Sequence, residues 1–281
     1  MAAAEPRRAV PAAELGFIGG SSTFAGGFPE DLADPRVAVL GEAVYATPYG
    51  DSPPMKLFTL EGRRVLTCRM HGWRRGVSRA DASRQVFWVL REAGVRRILV
   101  EGGVGSVSQL LDPGDLLVCS DYLDLSQRRD VSLGGDYLLV MRQALCPELR
   151  EVLLNQAEGW SAGRVFRRGV YAVTDGRHFE SPSEVQALAR LGADVVGQSL
   201  CPEVYLAREI GACYARVDLV VNYGEGMVQD WSHDLLRELF HGQAQQVGRL
   251  MLAGLAAVPA TASCGCRELR HETLLREKGT S

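Results

Sequence analysis

Residues 194–204 read Asp-Val-Val-Gly-Gln-Ser-Leu-Cys-Pro-Glu-Val, and this stretch indicates the fold class of the chain. Its first residues, 194–196, predict a short buried strand, because β-branched residues fit a pleated surface. Gln198 and Ser199 place two hydrogen-bonding side chains where that strand ends. Pro202 suits the first turn of a following helix, where its missing N–H has no consequence. Since α/β proteins bind ligands beyond the carboxyl ends of their strands, the stretch predicts part of a binding site.

Strands and helices alternate along the rest of the chain. Apolar, β-branched runs predict strands, and apolar residues at helical spacing predict helices. The predicted strands are 16–18, 37–40, 56–60, 64–69, 98–100, 116–118, 165–173 and 217–221, and the predicted helices are 80–93, 147–158, 183–191 and 231–255. This alternation predicts an α/β protein, a single-domain α/β sandwich with a mixed central β-sheet flanked by helices. We expect residues 1–14 to be a flexible leader, 15–258 the folded domain and 259–281 a C-terminal tail.

Composition argues against several classes of function. The 281 residues are 46% hydrophobic and 23% charged, which leaves enough apolar side chains for a sizeable core. The net charge of −3 provides no basic field for nucleic acid or for a membrane surface. No apolar run approaches the roughly 20 residues that span a bilayer, and no apolar segment follows Arg7 and Arg8 as it would in a signal peptide. We therefore expect a cytoplasmic protein whose partners are neither nucleic acid nor membrane.

Seven cysteines are scattered along the chain, most of them in apolar strings. Such positions are typical of buried free thiols in a reducing compartment. Cys264 and Cys266 differ, because only Gly265 separates them. A disulfide between them would close a small, strained ring, so we expect two exposed or loosely packed thiols. Since a zinc site needs about four ligands and no second cysteine pair stands out, we expect no metal.

Two segments carry groups suited to binding an anion. The turn Gly19-Gly20-Ser21 follows a predicted strand, and its glycines let backbone N–H groups and the Ser21 hydroxyl approach a phosphate. Arg69 and His71 lie two residues apart in an extended segment, so they are predicted to point the same way, with Met70 facing elsewhere. The guanidinium fork suits phosphate oxygens. Taken singly, each segment also has a structural explanation: a glycine turn, and a solvent-exposed Arg beside a structural His.

Three other side chains suit a flat polar ring. Phe179 can stack on such a ring, and the Glu180 carboxylate can accept hydrogen bonds from its N–H groups. Asn222 ends a predicted strand, and its amide both donates and accepts. The structural alternative is a turn with a solvated Glu.

The segment Ser232-His233-Asp234 begins the last predicted helix. Ser232 suits the N-cap, and Asp234 suits the positive end of the helix dipole. Neither role explains His233, which is therefore a candidate binding residue.

The stretch 191–204, LGADVVGQSLCPEV, resembles the signature of the trimeric purine nucleoside phosphorylases and methylthioadenosine phosphorylases. The resemblance runs from about Gly16 to about Leu255. The Arg-x-His spacing and the Asn at 222 resemble the 6-oxopurine branch, because adenosine-type members carry Asp at the latter place. The resemblance implies a phosphate site of Ser21, Arg69, His71, Gly103 and Ser199, a base site of Phe179, Glu180 and Asn222, and a sugar site of Trp73, Gln198 and His233, with Asn222, His71 and Glu180 as catalytic residues.

Some positions depart from the family pattern. Gly102 stands where members normally carry Asn or Thr, Gln198 where they usually carry Met, and Trp73 where the 6-oxopurine branch usually has Tyr. A His near position 233 is similar to members that act on ordinary nucleosides, whereas members that act on methylthio nucleosides have an apolar residue.

The resemblance implies that residues 15–258 form a nucleoside phosphorylase-like catalytic domain that converts inosine and guanosine to free base and ribose 1-phosphate, in purine salvage. Inorganic phosphate would be the co-substrate, and no metal or organic cofactor is expected. Family members are cyclic trimers, so the resemblance implies a homotrimer or a hexamer. Three alternatives remain open: a 5′-methylthio-nucleoside phosphorylase, a nucleoside hydrolase with a weakened phosphate site, and a non-catalytic nucleoside-binding protein.

Overall fold

The computed structural model describes residues 9–128, 130–230 and 232–273 and has a central β-sheet with helices on both faces, which confirms the predicted fold class. The helices are α1 (Ser21–Ala25), α2 (Arg79–Glu92), α3 (Pro147–Trp160), α4 (Pro182–Arg190), α5 (Leu200–Glu209) and α6 (His233–Ala257). The strands are β1 (Leu15–Ile18), β2 (Val37–Ala43), β3 (Ala46–Thr47), β4 (Gly50–Asp51), β5 (Met55–Leu60), β6 (Arg63–Cys68), β7 (Arg97–Ser106), β8 (Leu116–Leu117), β9 (Asp121–Asp124), β10 (Tyr137–Leu139), β11 (Val165–Phe166), β12 (Val170–Val173), β13 (Val195–Gly197), β14 (Cys213–Tyr223) and β15 (Arg270–Glu272).

The central sheet has 11 strands and is mixed. Its main path runs β11-β8-β14-β7-β1-β6-β5-β2, and β13 joins at β7 and leads on to β12 and β9. The neighbours β14, β7, β1 and β6 are parallel, so their carboxyl ends meet at one edge of the sheet. By contrast, β13 is antiparallel to β7, and β6, β5 and β2 form an antiparallel meander. The parallel block is where a ligand site is expected.

Both faces of the sheet are buried. Along β7, Ile98 and Val100 pack into one apolar cluster and Leu99 into another. This alternation follows from the pleat of the strand. The first cluster contains residues of α2 and α5, and the second contains residues of α3 and α6. The sheet is therefore the middle layer of the predicted sandwich.

Local capping signals mark where two of the helices begin. The Ser232 hydroxyl accepts from the Leu235 N–H at the start of α6, as its sequence predicts. Ser181 and Glu184 form a complete capping box at the start of α4. The longest helix, His233–Ala257, ends just beyond the predicted end at residue 255. No helix in the described ranges is both long and apolar enough to span a membrane.

Two predicted strands differ from the observed ones. The predicted strand 64–69 ends at Cys68, because Met70 and His71 have left-handed backbone conformations with φ of 50° and 55°. The predicted strand 165–173 is divided, because its first part pairs with β8 and its second part with β9.

Both ends of the described chain contact the domain. The Ala13 N–H donates to the Ala93 carbonyl and Ala13 is buried, so the predicted leader is part of the fold at its end; residues 1–8 lie outside the described ranges. In the predicted tail, β15 pairs antiparallel with β10, while residues 274–281 lie outside the described ranges. Residues from 12–14 and from 260–264 line one shared cavity beside the amino ends of β7 and β14.

Four cysteines meet near those same amino ends. The Sγ atoms of Cys146, Cys213, Cys264 and Cys266 all lie within 4.8 Å of one another. The expectation that no second pair accompanies Cys264 and Cys266 is therefore wrong, because the fold supplies the pair from the start of α3 and the start of β14. Cys266 is also buried rather than loosely packed. The remaining three cysteines are buried and free, as predicted.

Candidate active site

A cavity of about 390 Å³ opens at the carboxyl edge of the parallel strands. This volume suits a small-molecule ligand. Most of the predicted site residues line it, namely Ser21, His71, Trp73, Gly103, Phe179, Glu180, Gln198, Ser199 and Asn222. Arg69 and His233 do not.

A buried carboxylate holds the glycine turn at residues 19–21. Glu101 of β7 accepts hydrogen bonds from the Gly20 N–H (2.5 Å), the Thr23 N–H (3.0 Å) and the Thr23 hydroxyl (2.6 Å). A Cβ at Gly20 would lie 2.5 Å from the Glu101 carbonyl oxygen, so the position requires glycine. Ser21 is thereby fixed on the cavity wall at the start of α1. Glu101 is not among the predicted site residues, because nothing near it in sequence reveals its distant partners.

A chain of buried polar groups orients His71. Its Nδ1 lies 2.8 Å from one oxygen of Glu203, and the other oxygen accepts from the Tyr214 hydroxyl at 2.8 Å. Burial and the neighbouring Glu203 charge raise the pKa of Tyr214 well above its ordinary value, so the phenol stays protonated and donates. Because Glu203 engages Nδ1, the ring is held with Nε2 available to a ligand.

Arg69 lies outside the cavity, which corrects the prediction that it points the same way as His71. The two-residue alternation of a strand holds only while the strand continues, and β6 ends at Cys68. Left-handed backbone at Met70 and His71 then turns the chain. As a result Met70 lines the cavity, while Arg69 is exposed and lines a neighbouring groove.

Two arginines that the sequence interpretation missed, Arg79 and Arg177, line the cavity instead. The Arg79 guanidinium lies over the Trp73 ring, 4.1 Å from its centroid. Burial, and then repulsion by Arg128 and Arg177, lower the pKa of Arg79. Its Nη1 is buried and has no hydrogen-bond partner within the described part of the chain. A bound anion would provide that partner and offset the repulsion.

Gly102 makes room for a buried arginine. A Cβ at Gly102 would lie 2.5 Å from Nη2 of Arg216 and 2.9 Å from Oδ1 of Asp218. Arg216 is fully buried, forms an ion pair with Asp218, and donates from Nη2 to the Ser199 hydroxyl at 3.1 Å. The Arg216–Asp218 pair thus occupies the place of a larger side chain at 102 and holds Ser199 at the cavity wall.

Gln198 lies across the turn at Gly176. A Cβ at Gly176 would lie 1.9 Å from the Gln198 Cδ, and Gly176 has a φ of +68°. Both the contact and the backbone conformation therefore require glycine at this position. The backbone carbonyl of Gln198 accepts from Nη2 of Arg128 at 3.1 Å. The polar side chain therefore packs against Gly176 and lines the cavity where the family usually carries Met.

Glu180 and Asn222 are buried polar groups of the predicted base site. The Thr174 hydroxyl donates to Glu180 at 2.6 Å and orients its carboxylate. The Asn222 Nδ2 donates to the Tyr223 carbonyl at 2.7 Å, whereas its Oδ1 is buried without a partner in the described ranges. The open atom of Asn222 is thus an acceptor, and a half-turn of the amide would present the donor instead.

Apolar side chains also line the cavity. Leu236 and Phe240 lie four residues apart on one face of α6, and Phe179 is 46% exposed. His233, at the first position of the helix, is exposed and outside the lining, which corrects its predicted place in the sugar site. The helix face that meets the cavity carries Leu236 and Phe240.

The mixed sheet and the cavity at its carboxyl edge define an α/β protein with a small-molecule site. Residues 16–257 match the family model of the phosphorylase superfamily, and the chain therefore belongs to that superfamily. This membership confirms the predicted resemblance and the predicted enzyme class, a phosphorylase.

Two relatives illustrate the range of the family. The chain is 30% identical over 278 residues to a probable 6-oxopurine nucleoside phosphorylase of Korarchaeum cryptofilum, covering 92% of this chain and 98% of the relative. It is 33% identical over 265 residues to a probable S-methyl-5′-thioinosine phosphorylase of Methanopyrus kandleri, covering 91% of this chain and 96% of the relative.

Solved structures agree on the fold. A methylthioadenosine phosphorylase from an antarctic soil metagenomic library superposes with a TM-score of 0.79 at 23% identity, covering 92% of this chain and 91% of that one. The methylthioadenosine phosphorylase of Schistosoma mansoni in complex with adenine gives a TM-score of 0.78 at 23% identity, covering 89% and 93%.

Proposed function

We propose that this chain catalyses the phosphorolysis of 6-oxopurine nucleosides, inosine and guanosine, to free base and ribose 1-phosphate, as a step of purine salvage. The observation that carries the proposal is one cavity that gathers Ser21, His71 and Ser199 together with the buried amide of Asn222. The two serine hydroxyls and the imidazole suit an anion. The amide, unlike a carboxylate, can either accept from a ring N–H or donate to a 6-oxo group. The name of the Korarchaeum cryptofilum relative supports this choice of base.

In this proposal the phosphate is bound by hydroxyls, an oriented imidazole and backbone N–H groups. Ser21 and Ser199 supply the hydroxyls, His71 the imidazole, and Gly103 lies beside them on β7. The charges of the cavity arginines add attraction for the anion. No protein nucleophile is needed, because holding the phosphate and the nucleoside together replaces one.

The reaction forms one bond and breaks one. A phosphate oxygen bonds to C1′ as the C1′–N9 bond breaks, and the bonding electron pair passes to the purine ring. The amide of Asn222, turned so that its Nδ2 faces the ring, donates where this charge develops, and that contact accelerates the reaction because it strengthens in the transition state. The Glu180 carboxylate accepts from a ring N–H and so holds the base in position. The departing ring takes up, directly or through water, the proton that hydrogen phosphate loses on forming the ester, and the open Oδ1 of Asn222 can accept from the resulting N–H.

A second candidate substrate is a 5′-methylthio-6-oxopurine nucleoside. Leu236 and Phe240 present an apolar surface to the cavity, and His233 lies outside it. A thioether packs on such a surface, whereas a 5′-hydroxyl there would lack a partner. The name of the Methanopyrus kandleri relative is consistent with this candidate.

The test is turnover of inosine, guanosine, adenosine and 5′-methylthioinosine by the purified enzyme, with and without inorganic phosphate. We expect phosphate-dependent release of hypoxanthine or guanine together with a pentose 1-phosphate. Equal turnover without phosphate would show a hydrolase, and binding without turnover would show a nucleoside-binding protein. Preference for adenosine would contradict the role given to Asn222.

A further inference from the structure

The four clustered cysteines lie far from the cavity. Cys213 is the first residue of β14, and Asn222 is near its end. At about 3.3 Å per residue, that places the cluster roughly 30 Å from the base site. Cys146 caps the start of α3, while Cys264 and Cys266 flank Gly265 just before the 3₁₀ turn Cys266–Leu269. The cluster therefore joins three separate parts of the chain and serves no step of the proposed reaction.

The spacing of the sulfur atoms suits tetrahedral coordination. All four Sγ atoms lie within 4.8 Å of one another, and the Sγ atoms of Cys213 and Cys264 are 3.3 Å apart. Four thiolates around a zinc ion at about 2.3 Å stand about 3.8 Å apart, close to what the chain provides. All four cysteines are unbonded, and three of them are buried. A metal ion would satisfy the four sulfurs together, whereas disulfides would join them only in pairs.

The surroundings can balance the charge of such a centre. Four thiolates and Zn²⁺ carry a net charge of −2. The buried Arg97 lies opposite Cys213 in the pairing of β7 with β14 and lines the same cavity as Cys213 and Cys264. Its Nη1 donates to Glu148 at 2.5 Å, while its Nη2 is buried without a partner in the described part of the chain. A thiolate of the cluster can accept from that open N–H.

We propose that Cys146, Cys213, Cys264 and Cys266 bind one structural zinc ion. The ion ties the C-terminal segment to the amino ends of β14 and α3. That segment continues into β15, which pairs with β10, so the metal secures the last described strand of the fold. Because the zinc contributes to folding, its loss destabilises the protein. The chain's other three cysteines are free and buried, which is typical of a compartment where clustered thiols bind metal.

The first experiment uses the wild-type chain, purified without chelators. Elemental analysis is expected to give one zinc per chain, and titration after denaturation without reductant is expected to find all seven thiols. Replacement by Co²⁺ is expected to give the intense near-ultraviolet absorption of thiolate-to-cobalt charge transfer. Absence of both zinc and the cobalt absorption would overturn the proposal. Loss of four thiols to disulfides would also overturn it.

Variants then locate the site. Cys264→Ser replaces the most exposed member and is expected to lose zinc to a chelator that leaves the wild type loaded. Cys119→Ser, which replaces a buried cysteine outside the cluster, is the matched control and is expected to keep its zinc. Chelation of the wild type is expected to lower its Tm, and addition of zinc to restore it. Equal zinc retention by the two variants would overturn the assignment of these ligands.

Discussion

Asn222 is the residue at which we expect base specificity to be set. Its Nδ2 donates to the Tyr223 carbonyl, and its Oδ1 has no partner in the described ranges. Asn222→Asp replaces the Nδ2 that donates to the Tyr223 carbonyl with an oxygen that repels it. It also places negative charge beside the leaving purine. We expect kcat/KM for inosine to fall about tenfold to a hundredfold, the range of about 1–3 kcal/mol for one buried polar mismatch. The value of kcat/KM for adenosine should fall less. Unchanged inosine turnover would contradict the assignment.

Glu203 contacts His71 and does not line the cavity, so we expect it to act on the ligand through His71, as a positioning residue. Glu203→Gln keeps the shape but weakens the charge-assisted contact with Nδ1. We expect KM for phosphate to rise about tenfold, since such supporting contacts are worth about 10-fold to 100-fold, while KM for inosine changes little. Tyr214→Phe removes only the outer hydrogen bond and should have a smaller effect. An equal rise in KM for phosphate and for inosine, together with an altered circular dichroism spectrum, would indicate a purely structural role.

Gly102 should tolerate no side chain while Arg216 is present. Gly102→Ala would place its Cβ 2.5 Å from Nη2 of Arg216, and that buried guanidinium is held by its contacts with Asp218 and Ser199. We expect the free energy of unfolding to fall by about 1–3 kcal/mol, as for overpacked cores. The control is Gly159→Ala in α3, which meets nothing within 4 Å and should stabilise by up to about 1 kcal/mol. Equal midpoints of urea denaturation for the two variants would refute this account.

Local patterns predicted many of the residues that line the cavity but not the groups that hold them. Ser21 follows a glycine turn and Asn222 ends a strand, and both signals lie within a few residues. The partners of Glu101 and Arg216 are distant in sequence and meet them only in the folded sheet. Arg79 likewise lies at a helix start without any motif, and only the fold brings it to the cavity.

At the scale of elements, periodicity located the sheet and the helices but not their ends. The strand predicted to continue to residue 69 stops at Cys68, because two residues after Arg69 adopt left-handed conformations that no periodic pattern reveals. The predicted strand 165–173 divides where its partner changes, and strand partners follow from tertiary structure. Capping, in contrast, is a local effect, and Ser232 caps α6 as expected.

We expect helix α6 to determine which sugar the cavity prefers, because Leu236 and Phe240 line the cavity. Leu236→His would place a hydrogen-bonding group on the helix face that meets the cavity. We expect the ratio of kcat/KM for inosine to that for 5′-methylthioinosine to rise about tenfold or more, because a buried polar group discriminates strongly between a hydroxyl and a thioether. His233→Ala is the matched control and should leave that ratio unchanged. A large effect of His233→Ala would restore that residue to the sugar site.

At the scale of the whole molecule, one edge of the sheet is exposed and apolar. The edge strand β2 carries Val39 and Leu40 at 42% and 52% exposure, and Phe24 of α1 is 54% exposed. Such surfaces are normally covered by a partner. We expect a homotrimer or a hexamer in solution, measured by sedimentation equilibrium. A fully active monomer would contradict this expectation.

The meeting of residues 12–14 with residues 260–264 has a practical consequence. Residues from 12–14 and from 260–264 line one cavity beside the amino ends of β7 and β14, whereas the substrate cavity lies at their carboxyl ends. Residues 260–262 are exposed, so an affinity handle inserted there would lie on the side of the sheet opposite to the substrate cavity. Immobilising the enzyme through such a handle should leave the substrate path open to solvent.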